Sequence, residues 1–154
     1  MGQTVTPGVA IIGCGLIGQK RAAALAGARL AVCADLNRGR ADALANRFSA
    51  EAVDDWRAAV DRRDVDIVIV ATTNETHADV TRFAAKAGKH VLVEKPAALN
   101  AAQIDPLIEE AKRRKLQVRV GYNHRYHPAF RMAAPTRACR STGRPEPTCP
   151  ARRR

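Results

Sequence analysis

The stretch from Val9 to Asp35 constrains the fold more than any other part of the chain. An apolar run, Val9-Ala10-Ile11-Ile12, leads into a glycine-rich turn, Gly13-Cys14-Gly15-Leu16-Ile17-Gly18. An alanine-rich helical segment follows, then a second apolar run, Leu30 to Ala34, that stops on Asp35. Strand, turn, helix and strand in that order outline a dinucleotide-binding unit. Gly13 allows the tight turn, Gly15 lets backbone approach a pyrophosphate, and Gly18 lets the helix pack closely on the sheet. Free N–H groups at the helix start, around Leu16 and Ile17, then receive the phosphates. A glycine turn alone is weak evidence; the apolar run before it, the helix after it and the acid beyond give it weight.

Asp35 stands where the ribose-binding acid is expected. A carboxylate there accepts from the adenosine ribose hydroxyls and repels a 2′-phosphate, which favours NAD over NADP. Arg38 lies close enough to blur that preference, and a turn residue or helix cap is the competing reading of Asp35.

Further along, strands alternate with helices. Residues 38–48 have helical spacing, with Ala41, Leu44, Ala45 and Phe48 on one face. A short strand at 50–53 precedes a helix opened by Asp54 or Asp55 that carries Trp56, Ala59 and Val60 inward. The run from Val65 to Ala71 does not alternate with polar residues, as in parallel strands buried on both faces. A helix over 75–87 ends at Gly88, a natural left-handed cap. A strand at 90–94 runs into Lys95-Pro96. Asn100 reads as an N-cap for a helix bearing Ile104, Leu107, Ile108 and Ala111; Pro106 either kinks it or marks where its regular part begins. A sixth strand covers 117–120. The pattern implies an α/β fold, a doubly wound parallel sheet.

The chain has 154 residues, enough for one domain with a real core, and a net charge of +11. Residues 1–130 hold 19 Lys and Arg against 14 Asp and Glu, whereas residues 131–154 hold 7 against 1. The excess is therefore concentrated at the end, and the body lacks the basic and aromatic patch of a nucleic-acid binder. No apolar stretch is long enough to span a bilayer, and no leader pattern is seen, so a cytoplasmic location is expected. The spacing of Cys14, Cys33, Cys139 and Cys149 suggests neither a zinc site nor a disulfide framework. His124 and His127 are followed by Pro128, which breaks the helix such a pair would need to share a metal, and no metal site is expected. Residues 133–154, rich in Pro, Arg, Thr and Ser, are expected to be disordered. A basic interaction tail is one reading of them; a frameshifted or prematurely ended coding region is the favoured one.

Three motifs together carry a family resemblance: the Gly13–Gly18 turn, Ala71-Thr72-Thr73-Asn74 followed by His77, and Ala87-Gly88-Lys89-His90-Val91-Leu92-Val93-Glu94-Lys95-Pro96. Across residues 7–132 the chain resembles the N-terminal, NAD(P)-binding Rossmann domain of the Gfo/Idh/MocA oxidoreductases. The expected organisation is a flexible lead at 1–8, a dinucleotide-binding domain at 9–132 and the tail at 133–154. The family's second α/β domain, expected to hold the substrate pocket and a His or Asp base, is missing from this reading.

Lys95 is the candidate catalytic residue. Pro96 keeps it out of helical geometry, so it leaves the strand at the carboxyl edge of the sheet, where ligands bind. An ammonium there can bind a substrate hydroxyl and stabilise the alkoxide that develops as hydride leaves. Glu94 pairs with a nearby cation or binds the nicotinamide ribose; the resemblance implies that it lies near the cofactor. The resemblance also places Thr72, Thr73 and Asn74 against the pyrophosphate and nicotinamide half. Relatives more often have Pro at the position of Thr73, which makes this turn less rigid. His77 is either a helix-start polar residue or a cofactor contact. Asn123 and Arg125 leave the sixth strand at the same edge, where relatives carry an arginine near the active site; salt bridges are the alternative. The activity implied is hydride transfer from a sugar, cyclitol or polyol to NAD, weak or absent in this short chain. A non-catalytic NAD(H)-binding module and a basic-tail protein binding nucleic acid or an acidic partner are the alternatives, and oligomeric state is left open.

Overall fold

The computed structural model describes residues 6–122 and Pro128. The chain runs β1 (Gly8–Ile12), α1 (Leu16–Ala23), β2 (Arg29–Ala34), α2 (Arg38–Phe48), β3 (Glu51–Val53), α3 (Trp56–Asp61), β4 (Ile67–Val70), α4 (His77–Lys86), β5 (His90–Val93), α5 (Asp105–Arg113) and β6 (Val118–Val120). All neighbouring strands pair in parallel, in the order β3-β2-β1-β4-β5-β6. This is the doubly wound parallel sheet of the Rossmann fold. The order reverses between β1 and β4, and ligands of such sheets sit outside the carboxyl ends of the strands at that switch point.

The period of two in a strand explains why the central runs show no polar alternation. Ala10, Ile12, Val68, Val70, Val91 and Val93 face one core with Ala59 and Val60 of α3 and Val80 and Ala84 of α4. Val9, Ile11, Cys33 and Ile69 face the other, with Ala22 of α1 and Ala41, Leu44 and Ala45 of α2. Each central strand is thus apolar on both faces because helices cover both. Cys14 belongs to the second core, fully buried, and its thiol is pushed above the ordinary range by hydrogen bonding with Cys33 and by burial. It packs; it is not an activated thiolate.

Caps set several boundaries. Asn37 Oδ1 accepts from the Arg40 amide at the start of α2, and Asp55 Oδ1 from the Arg57 amide at the start of α3. The helix expected at 75–87 divides: Asn74–Thr76 form a short 3-10 turn, and α4 begins at His77. Asn100 caps another 3-10 turn, Ala101–Gln103, through the Gln103 amide, while α5 starts at Asp105 with Pro106 in its first turn. There the missing proline N–H costs nothing, so the helix has no interior kink. Leu107 is buried, but Ile108 is 43% exposed. α5 lies toward the edge of the sheet, where less surface is available to cover it.

At the amino edge, Lys89 Nζ donates to the carbonyls of Arg62 and Val65, both at 2.8 Å, and so closes the loop between α3 and β4. Arg62 spans Asp64 and Glu51 beside it. No helix of the described residues is long and apolar enough to cross a membrane.

Candidate functional site

The glycine turn leaves β1 at the switch point, and its three glycines meet different surroundings. Gly13 has φ +97°, and a Cβ there would lie 2.4 Å from the Ala71 carbonyl oxygen. A Cβ on Gly18 would lie 2.0 Å from the Gly13 oxygen, so the first turn of α1 rests directly on the strand exit. A Cβ on Gly15 would meet nothing within 4 Å beyond its chain neighbours. Gly15 is also the N-cap of α1, with no side chain capping the helix and no acid in its first turn. The first amides of α1 therefore face open space with a partial positive charge, the setting a pyrophosphate requires. Leu16 and Ile17, in that turn, are 67% and 39% exposed.

Beside this turn lies a cleft of about 440 Å³. One wall is the end of β2 and its loop, with Asp35, Leu36, Asn37 and Arg40; the other is the loop after β4, with Thr72, Thr73 and Thr76. Trp56 also lines it, half-buried, stacked edge-to-face on Phe83 with ring centres 5.1 Å apart. Trp56 is expected in the core, and it is both packed against it and presented to the cleft.

Asp35 holds the lip. Its Oδ2 accepts from the Cys14 amide at 2.7 Å and its Oδ1 from the Asn37 amide at 2.8 Å. Each carboxylate oxygen has a further lone pair, so both can still accept from ribose hydroxyls. Arg38 is turned to other partners: Nε donates to Asp42 at 2.8 Å and Nη1 to Asp54 at 3.0 Å, and both carboxylates raise its pKa. Arg40, rather than Arg38, lines the cleft. Helix spacing did not separate the two, because both lie in the first turn of α2.

The loop after β4 is held despite Thr at position 73. Thr76 Oγ1 donates to the Thr73 carbonyl at 2.9 Å and pairs with Thr72 Oγ1 at 2.8 Å. Hydroxyl bonds here take over the restraint expected from a proline. Asn74 begins the 3-10 turn. His77 is 1% exposed; its Nε2 is 3.0 Å from the Thr72 carbonyl and its Nδ1 2.7 Å from the Pro96 carbonyl.

At the end of β5, Glu94 is 9% exposed and pairs with a cation. Its Oε1 accepts from Arg21 of α1, with Nη2 2.5 Å away and Nε 2.6 Å away. A Cβ on Gly121 would come within 2.7 Å of Arg21 and 3.0 Å of Glu94, so the chain leaving β6 passes close over this pair. A cation near Glu94 is expected from the sequence, but which one is not; Arg21 of α1 stands there. Lys95 is exposed, and its peptide bond to Pro96 is cis. Asn123 and Arg125 lie outside the described residues, as do His124 and His127. Among the described residues, no three His, Cys, Asp or Glu side chains cluster as metal ligands do.

The structure thus brings the glycine turn, Asp35 and Thr72–Thr73 to one cleft, and sets Glu94 and Lys95 at the end of a strand on the same edge of the sheet. Comparison with known proteins points the same way. Residues 8–122 match a family model described as an oxidoreductase family with an NAD-binding Rossmann fold. Inositol 2-dehydrogenase of Salmonella typhimurium is 35% identical over 127 residues, which cover 78% of this chain and 38% of that protein. The crystal structure of GenD2 from gentamicin A biosynthesis, in complex with NAD, superposes with a TM-score of 0.81 at 30% identity, covering 90% of this chain and 40% of that one. KijD10, a 3-ketoreductase from Actinomadura kijaniata in complex with NADP, gives 0.78 at 31% identity, covering 86% and 44%. The chain spans about two fifths of the length of each.

Proposed function

Because the chain belongs to the Gfo/Idh/MocA oxidoreductase family, we propose that it binds NAD along the carboxyl edge of its sheet, and that this edge serves hydride transfer from a sugar, cyclitol or related polyol. The observation that carries the reading is the cleft with Asp35 on its lip and open space over Gly15. Asp35 accepts from the adenosine ribose and disfavours a 2′-phosphate, and the first amides of α1 hold the pyrophosphate. Arg38, held by Asp42 and Asp54, does not offset that preference.

Bound nicotinamide supplies the acceptor for the two electrons and hydrogen of the substrate C–H bond. The Lys95 ammonium donates to the substrate oxygen and stabilises the negative charge that gathers there. The hydroxyl proton passes to a separate base, expected from a second α/β domain. Names such as inositol 2-dehydrogenase and 3-ketoreductase among the relatives support a cyclitol or sugar as substrate class. Turnover by this chain alone is expected to be weak or absent. The exposure of Lys95 favours, as a second reading, an NAD(H)-binding module without catalysis.

The test is titration with NADH. Trp56 is the sole tryptophan and lines the cleft, so its fluorescence should fall saturably as NADH binds, with weaker binding of NADPH. Absence of saturable quenching up to about 1 mM, a weak affinity on any scale, rejects the proposal. Given binding, assay of a polyol panel separates the two readings.

A further inference from the structure

His77 connects the loops that follow two neighbouring strands, β4 and β5, beyond the last hydrogen bond between them. One is the loop after β4, whose Thr72 and Thr73 line the cleft. The other is the segment after β5 that carries Lys95. The ring lies between them at the first residue of α4, 1% exposed, with Nε2 on the Thr72 carbonyl and Nδ1 on the Pro96 carbonyl.

The hold on the second segment is the informative part. The Glu94 amide donates to the Val70 carbonyl at 2.9 Å, and the Leu99 amide donates to Gln103 Oε1 at 2.9 Å. Between them, among the described residues, the bond from His77 to Pro96 is the hydrogen bond that fastens Lys95 to Ala98 to the domain. It falls one residue from the lysine. The first loop has ties of its own, through Thr76 to Thr72 and Thr73. His77 therefore adds little to the internal order of that loop and much to its position relative to the segment bearing Lys95. Carbonyls accept and do not donate, so a ring with one N–H closes one arm of this bridge and a ring with two closes both.

We propose that His77 is a positioning residue: its ring sets the spacing between the cleft wall at Thr72–Thr73 and Lys95, and thereby the fit of the nicotinamide half of the cofactor. This rests on the NAD reading above. The ring itself is out of a ligand's reach, since both nitrogens face backbone carbonyls and the side chain is buried. Its effect passes through two carbonyls to residues that do make contact. A misplacement of the order of 1 Å between groups that must act together is enough to lose most of their joint effect.

The two arms can be cut separately. In His77→Asn the side-chain amide can reach the Nδ1 position and keep Pro96 while releasing Thr72; in His77→Gln it can reach the Nε2 position and keep Thr72 while releasing Pro96. NADH is titrated into the 154-residue chain by Trp56 fluorescence, and ADP, which carries the adenosine and pyrophosphate without the nicotinamide riboside, is measured by displacement of NADH. The expected result is a fall of about tenfold in the ratio of NADH to ADP affinity in whichever of the two variants cuts an arm closed by a ring N–H, as for the loss of one or two ordinary hydrogen bonds. The fall should be at least as large in His77→Phe, which cuts both arms. A ring that is merely structural would lower the melting temperature and weaken both ligands in parallel, leaving the ratio within twofold of wild type. That result in Asn and Gln variants that still fold overturns the proposal, whatever the Phe variant does. Failure of wild type to bind NADH at all would instead remove the NAD reading on which it rests.

Discussion

Oδ2 of Asp35 accepts the amide hydrogen of Cys14 at 2.7 Å, so the carboxylate expected to read the cofactor's ribose also holds the glycine turn that would cradle its phosphates. The same group takes the Asn37 amide with its other oxygen. Removing it disturbs both halves of the adenosine site. Asp35→Ala should weaken NADH binding by at least about tenfold, since hydrogen bonds to a charged group contribute about 1.5–3 kcal/mol each. Asp35→Asn should narrow the gap between NADH and NADPH. Equal affinities for the two cofactors in wild type, with no loss in Asp35→Ala, reject a ribose role.

Gly15 and Gly18 make opposite demands on a methyl group. Nothing lies within 4 Å of a Cβ on Gly15, so Gly15→Ala should fold with an unchanged melting temperature and lose NADH affinity. In Gly18→Ala the methyl meets the Gly13 carbonyl oxygen at 2.0 Å, which must move the helix off the strand. Overpacking of that kind costs about 1–3 kcal/mol or more, and binding should fall with stability. Thermal melts alongside NADH titrations separate the two; a Gly15→Ala protein that binds as wild type does would remove the pyrophosphate from this turn.

Arg21 and Glu94 form a pair in which the carboxylate is nearly enclosed, with side-chain exposures of 22% and 11%. Arg21→Met leaves that carboxylate without this partner and should cost about 3 kcal/mol, as when one member of a buried pair is removed. The double variant Arg21→Met, Glu94→Gln should recover part of the loss. Denaturant midpoints of the two single variants and the double variant measure it. Strict additivity would show that the pair does not act as one.

Asp64 governs a stretch of the acid range. Hydrogen bonds from Arg62, Nε to Oδ1 at 2.8 Å and Nη2 to Oδ2 at 3.1 Å, bring its pKa down from 3.8 to about 2. The folded value lies below the unfolded one, so its contribution is whole above pH 3.8 and disappears as pH falls toward 2. The carboxylate is 41% exposed, and solvent keeps the contribution small. Melting temperature followed against pH should show a shallower fall between pH 3.8 and pH 2 in Asp64→Asn than in wild type. Parallel curves would dismiss the pair as a stabilising contact.

Local pattern carried the fold a long way. The 38–48 helix, the apolar run of β4, the left-handed Gly88 and the glycine turn all follow from spacing and residue type, and with them comes the parallel sheet. Boundaries moved where a side chain chose between two turns, as with Asn100, which caps a 3-10 turn because Pro106 suits the first turn of the helix that follows. The pairings across the site were not legible. Arg21 and Glu94 are 73 residues apart, and Cys14 and Asp35 are 21 apart. Only the register of the strands brings them together. His77 is the clearest instance: its sequence neighbourhood is that of a helix start, whereas its partners lie in loops after two different strands.

The strand order has a consequence for how this domain behaves at high concentration. Among the described residues the outermost strands, β3 and β6, are three residues long, and each carries an exposed charged residue, Glu51 and Arg119. Long, flat, apolar sheet edges recruit strands from other molecules and seed aggregation, whereas short edges with charges offer little to copy. The most β-prone sequence, Ile67-Val68-Ile69-Val70, lies in β4, paired on both sides by β1 and β5. A fold that keeps its stickiest strand inside and its poorest templates at the margins should resist edge-to-edge assembly as long as it stays folded.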